Sequence, residues 1–128
     1  SSKAKTSIAA EIYWDRPLPS MKDDPSNLED VRIAATKVQA FISGVSRDKF
    51  LKNDLIQSAV IRQLEIMGEA VKRLSMEFRA DYPSIPWQRI AGLRDRLIHA
   101  YDDVNIEQIW TIATKDVPDL LEKLPGSE

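Results

Sequence analysis

The chain has 128 residues, 43% of them hydrophobic and 30% charged, with a formal net charge of −2 and no cysteine. That length suits one domain able to bury its own core, and the composition excludes a disordered chain, a disulfide scaffold and a thiolate metal site. No apolar run approaches the roughly 20 residues that a membrane-spanning helix needs, and no signal-peptide pattern opens the chain. Absence of cysteine fits a cytoplasmic protein, which is the expected location.

The charge is unevenly spread. Residues 102–128 hold seven acids against two bases, a balance of −5, so residues 1–101 sum to +3. A mildly basic body permits a polyanion ligand without demanding one.

Residues 1–25 contain Pro17, Pro19 and Pro25 and the stretch IYWDRPLPS, and read as an extended N-terminal tail. Ile12, Tyr13 and Trp14 could dock it. Met21 is a plausible native start, which would make residues 1–20 an appendage. The body, residues 26–128, reads as helical. Ser26 or Asn27 is suited to cap a first helix, with Glu29 and Asp30 in its first turn. Leu28, Val31, Ala35, Val38 and Ile42 follow at helical spacing, and Gly44 is a stop.

A second helix is expected from near Asp54. Its apolar stripe is Ile56, Val60, Leu64, Met67, Val71, Leu74 and Phe78, about six turns, with Arg62, Glu65, Glu69 and Arg73 on the other side. Gly68 in mid-helix costs about 1 kcal/mol relative to alanine, which predicts the close approach of another helix. DYPSIP ends this helix, since its two prolines and the residues before them resist the α conformation. A third helix begins with Pro86 in its first turn. After a turn at 102–105, Asn105 caps a fourth that carries Ile109, Ile112, Ala113 and Leu120, broken or kinked at Pro118. No strand pattern, repeat or glycine-rich phosphate loop is present. The fold class expected is all-α: an antiparallel bundle of four main helices with short helical segments.

Residues 92–104, GLRDRLIHAYDDV, hold the single histidine of the chain. At about 100° per residue, Trp87, Ile90, Leu93, Leu97 and Tyr101 share the side that packs on the bundle. His99 lies on the opposite side, with Asp95 and Arg96 flanking it, and Asp95 and His99 are an i,i+4 pair. Arg94 falls elsewhere, at the edge of the core near Tyr101, where a guanidinium needs a carboxylate, a phosphate or water. On an uninterrupted helix Arg94 and His99 stand about 140° apart. They share a site only if the helix unwinds near His99 or a second chain completes it. On these residues alone an ordinary structural role is the stronger reading: a histidine near a helix C-terminus suits the macrodipole, and Arg94 is a surface-pairing residue. One histidine without cysteine makes a poor metal site, so neither metal nor cofactor is expected.

The run Arg94-Asp95-Arg96-Leu97-Ile98-His99-Ala100-Tyr101 has the form Arg-x4-His-x-Tyr, and in it the chain resembles the HepT-like toxins of the HEPN superfamily. AVIRQLEIMGEAVKRLS and YPSIPWQRIAGLRDRLIHAYDDVNIEQIW extend the match, which covers roughly Asn27 to Leu124. GEA, P-x-x-W and the trailing tyrosine give it specificity that Arg-x4-His alone lacks. The tail has no counterpart in that pattern.

What the resemblance implies is a homodimeric helical bundle, HEPN-like over residues 26–128, acting as a metal-independent RNase toxin. Arg94 and His99 of both protomers would line a cleft at the dimer interface as its catalytic residues. The implied partners are an RNA substrate, a second copy of the chain and an MNT-type nucleotidyltransferase antitoxin that silences the toxin by transferring AMP to Tyr101. Such a dimer would answer the geometric objection to pairing Arg94 with His99. Asp95 would orient His99 or raise its pKa, and Arg96 would hold flanking phosphate. The rival expectations are a non-catalytic HEPN module that binds a nucleotidyltransferase partner or a nucleotide, and a plain assembly subunit.

Overall fold

The computed structural model describes residues 23–99 and 105–126, with backbone alone for 98 and 99. Among these residues every regular element is a helix, with no strand. The expected tail lies outside the described residues as far as residue 22.

Helix α1 spans Asp24–Ile42. Its cap is Asp23, whose Oδ1 accepts from the Ser26 amide at 2.9 Å, rather than the expected Ser26 or Asn27. The helix therefore starts three or four residues before the expected start. Pro25 fits because the first helical turn needs no amide donor. Asn27 is instead fully buried; its Nδ2 donates to the carbonyls of Asp23 at 3.1 Å and Arg73 at 3.4 Å. The helix ends at Ser43, and Gly44 turns the chain with a φ of 74°, a left-handed conformation glycine adopts without a Cβ penalty.

A short helix, α2 (Arg47–Leu51), follows, which the apolar spacing did not predict. Helix α3 (Asp54–Lys72) starts where expected, capped by Asn53 Oδ1 on the Ile56 amide at 2.9 Å. It is shorter than its apolar stripe suggested: Phe78 belongs to a separate helix, α4 (Met76–Ala80). Local side-chain bonds make the break. The Arg79 guanidinium donates to the Val71 and Lys72 carbonyls at 2.7 and 3.1 Å. Ser75 Oγ accepts from the Phe78 amide, capping α4. Asp24 meanwhile accepts from the Ser75 amide and hydroxyl at 2.8 and 2.7 Å. Terminal groups of α3 and α4 are thus satisfied without continuing one helix.

Trp87 opens helix α5 (Trp87–His99) directly after Pro86. Its indole N–H donates to the Arg79 and Tyr82 carbonyls, both at 3.1 Å, tying the start of α5 to the end of α4. Asn105 caps α6 (Ile106–Thr111) through the Gln108 amide, as expected. The helix then passes through a π turn at Ile112–Asp116 into α7 (Val117–Lys123). Pro118 offers no N–H to the carbonyl four residues back. The Val117 amide reaches Ile112 O, five residues back, so the expected break is a widened turn.

Helix α3 is the centre of the bundle, packed between α1 and α5, with α7 against α1 and α2 against α3 and α6. The Asp24–Ser75 and Asn27–Arg73 bonds join the start of α1 to the end of α3, so these two run antiparallel. Val31, Val38, Phe50, Val60, Leu64 and Val71 are fully excluded from solvent. Burial of this kind supplies most of the stabilisation of amphipathic helices.

Candidate active site

The buried side of α5 is Trp87, Ile90, Ala91, Leu93 and Leu97; four of these are residues of the stripe the spacing predicted, Ala91 joins them, and Tyr101, the fifth expected member, lies outside the described residues. That packing sets Arg94 at the edge of the core, facing α3. The approach there is unusually close, as Gly68 implied: a Cβ on Gly68 would lie 2.9 Å from Arg94 Cβ and Ile90 O, and 3.1 Å from Arg94 N. Only hydrogen fits at this crossing.

Arg94 is thereby brought against α3 carboxylate chemistry. Its Nε forms an ion pair with Glu69 Oε2 at 2.8 Å, and its Nη1 donates to Asp95 Oδ1 at 3.3 Å. Glu69 also accepts from Arg73 Nη2 at 3.2 Å. Lys72 Nζ donates to both Asp95 oxygens, at 2.7 and 2.8 Å. Five side chains, Arg73, Glu69, Arg94, Asp95 and Lys72, thus form one chain of contacts with three cations and two carboxylates. Its net charge is positive. The Arg94 side chain is 36% exposed, and its Nη2 has no partner among the described residues. Two carboxylates therefore fix the guanidinium while part of its donor fork still faces solvent. That arrangement suits an oxyanion such as phosphate.

The hydrogen bonds from Lys72, aided by Arg94, hold the Asp95 carboxyl below the usual carboxylate range. Asp95 is an anion at neutral pH and is spoken for by two cations. Its expected pairing with His99 falls outside the described residues, because the His99 side chain is not among them. His99 itself is the last residue of α5. The helix stays α-helical up to it, so the backbone positions of Arg94 and His99 remain about 140° apart around the axis. Tyr101 lies outside the described residues. Arg96 is exposed and separate from the Arg94 cluster.

Glu69 and Lys72 are the residues that the sequence reading missed, having set Glu69 on the far side of α3. A signal was present. Arg94 needed a carboxylate, and Gly68 marked the crossing, so the acid next to that glycine was the natural candidate.

A model of the family described as "HepT-like: Ribonuclease HepT-like" matches residues 31–125. "Putative RNase TTE0752" of Caldanaerobacter subterraneus subsp. tengcongensis is 46% identical over 79 residues, 62% of this chain and 70% of the relative. "Putative RNase MJ0127" of Methanocaldococcus jannaschii is 41% identical over 103 residues, 80% of this chain and 85% of the relative. "Probable ribonuclease HepT" of Thermococcus cleftensis is 40% identical over 96 residues, 75% of this chain and 87% of the relative. No solved structure matches the chain at a significant level.

Proposed function

Because the chain belongs to the HepT-like ribonuclease family, we propose that it is a metal-independent endoribonuclease and the toxin of a toxin–antitoxin pair. The observation that carries this reading is the half-exposed Arg94, fixed by Glu69 and Asp95 inside a cluster of net positive charge. RNA brings its own nucleophile. A base takes the 2′-hydroxyl proton, the 2′-oxygen bonds to the adjacent phosphorus, and the bond from phosphorus to the 5′-oxygen breaks. An acid returns a proton to that leaving oxygen, and the products are a 2′,3′-cyclic phosphate and a free 5′-hydroxyl.

The role of His99 is acid–base, since imidazole titrates near neutral pH. Arg94 grips the phosphate and stabilises the charge that builds in the phosphorane. Asp95 supports the pair, and Arg96 holds flanking phosphate. With α5 continuous through His99, one chain does not readily set both groups on one phosphate, which favours a homodimer whose two copies share a cleft. The partner that silences it is an MNT-type nucleotidyltransferase, which adds AMP to Tyr101. The added bulk and negative charge repel RNA from the cleft. The pair acts in the cytoplasm.

His99→Ala and Arg94→Ala proteins should fold and keep the wild-type oligomeric state, yet lose RNA cleavage measured in EDTA. Wild-type cleavage by either variant would overturn the mechanism. A 3′-hydroxyl end on the wild-type products would point to a different reaction. Folded, dimeric protein without nuclease activity would return the non-catalytic binding module.

A further inference from the structure

Away from the Arg94 cluster, a groove of about 500 Å³ runs between α5 and the α6–α7 segment. That size is ordinary for a small-molecule site. Its floor is apolar, formed among others by Leu93, Ile112 and Leu120, and its two walls differ in charge. On the α5 wall stand Arg89 and Arg96, seven residues apart, so on one face and about 10 Å along the helix. Both are exposed, and neither has a carboxylate partner among the described residues. On the opposite wall Asp119 is paired with Lys123 at 3.0 Å and adds no net charge. Asp116, by contrast, has no side-chain partner among the described residues: it stands at the start of α7 but its carboxylate makes no capping hydrogen bond. It closes the π turn, a distortion that inserts an extra residue into the helical turn and resets where the following side chains stand.

We propose that this groove is a nucleotide subsite. Arg89 and Arg96 take a phosphate, the apolar floor takes the face of a base, and Asp116 accepts from the exocyclic amino group of that base. Two unpaired arginines on one wall ask for an anion. A lone carboxylate across an apolar floor asks for a donor at the far end of the same ligand, as an aspartate does with the amino group of cytosine. Single-stranded RNA is read in this way, by contact with base faces and edges. The inference rests on the ribonuclease reading for its assumption that the nucleotide belongs to an RNA strand. Arg96, three residues before His99, would join the subsite to the scissile phosphate. The enzyme would then prefer an amino-bearing base, with cytosine over uracil, beside the bond it cuts.

The test uses 5′-CMP, 5′-UMP and inorganic phosphate as probes, with binding followed by calorimetry and amide chemical shifts on the wild-type full chain. This readout does not depend on cleavage, so it can fail while the nuclease reading stands, and the reverse. Expected are CMP binding about ten-fold tighter than UMP and shifts confined to residues of the groove. Arg89→Ala should weaken both nucleotides, and Asp116→Asn should remove the preference for CMP. Thr111→Trp, which fills the rim without changing charge, should abolish binding. Phosphate binding as well as CMP would overturn the base site, as would shifts outside the groove. A changed oligomeric state in Thr111→Trp would show instead that a second copy occupies the groove.

Discussion

Gly68 and Arg94 meet at the crossing of α3 and α5, where a methyl group on the glycine would sit 2.9 Å from the Cβ of the arginine. The same methyl would press on the carbonyl of Ile90 at 2.9 Å, and a backbone atom does not swing aside. Gly68→Ala must therefore push the helices apart. Overpacking of this kind costs about 1–3 kcal/mol, against a gain of about 1 kcal/mol in helix propensity. The variant should unfold at lower urea concentration than wild type and cleave RNA more slowly, because Arg94 moves with α5. An equal or higher midpoint would mean that the crossing is not tight.

Glu69 acts through Arg94. Its carboxylate holds Nε at 2.8 Å and leaves other donors of the guanidinium facing solvent. Glu69→Gln should change stability by less than about 1 kcal/mol, since the pair is partly solvated. If the proposed chemistry holds, kcat for a short RNA should fall at least about ten-fold with little change in KM, because the loss concerns orientation during reaction. Glu69→Asp should recover part of it. A Glu69→Gln protein with wild-type kcat would reduce the ion pair to a surface contact.

Among the described residues two carboxyls are held below their ordinary value of 3.8: Asp95, chiefly by its hydrogen bond from Lys72, and Asp23, chiefly by the Ser26 amide. A group whose pKa is lower in the folded state contributes stability above its unfolded pKa and loses it as pH falls through the folded one. Stability should therefore be level from neutral pH to about 5, then decline below about 4. The double variant Asp23→Asn, Asp95→Asn should show a shallower decline in denaturant titrations between pH 5 and 2. An unchanged slope would assign acid sensitivity to other carboxylates. Since Asp95 stays ionised through the neutral range, any pH dependence of cleavage there belongs to another group, and His99 is the candidate.

How far the sequence reveals this molecule depends on the length over which each signal repeats. The faces of α1, α3 and α5 were legible because apolar residues recur through several turns, and Gly68 was legible because a glycine in mid-helix needs a reason. The end of α3 was not. Its stripe carries on in phase to Phe78, while the break is made by Arg79, Ser75 and Asp24, partners that no periodicity reports. The Arg94 cluster was half legible. The need for a carboxylate could be stated, but choosing Glu69 required the α3–α5 crossing. Arg89 and Asp116 drew no notice, because they come together only when the last helices fold back onto α5.

Helix α2 shows the same limit and supports a test of its own. RDKFL is too short for any period to register, yet Phe50 is fully buried. Its ring lies 5.1 Å from that of Trp110, and its carbonyl accepts from Gln57 Nε2 at 2.9 Å. One aromatic thus joins α2 to the start of α3 and to α6. Phe50→Ala should cost about 3–5 kcal/mol by opening a cavity at that junction, a large share of a small domain's stability. Ser46→Ala, which removes only the cap on the Lys49 amide, should cost about 1 kcal/mol. Urea titrations of both proteins compare the two costs directly. If Phe50→Ala proves no more harmful than Ser46→Ala, α2 is an ornament on the bundle and not part of its core.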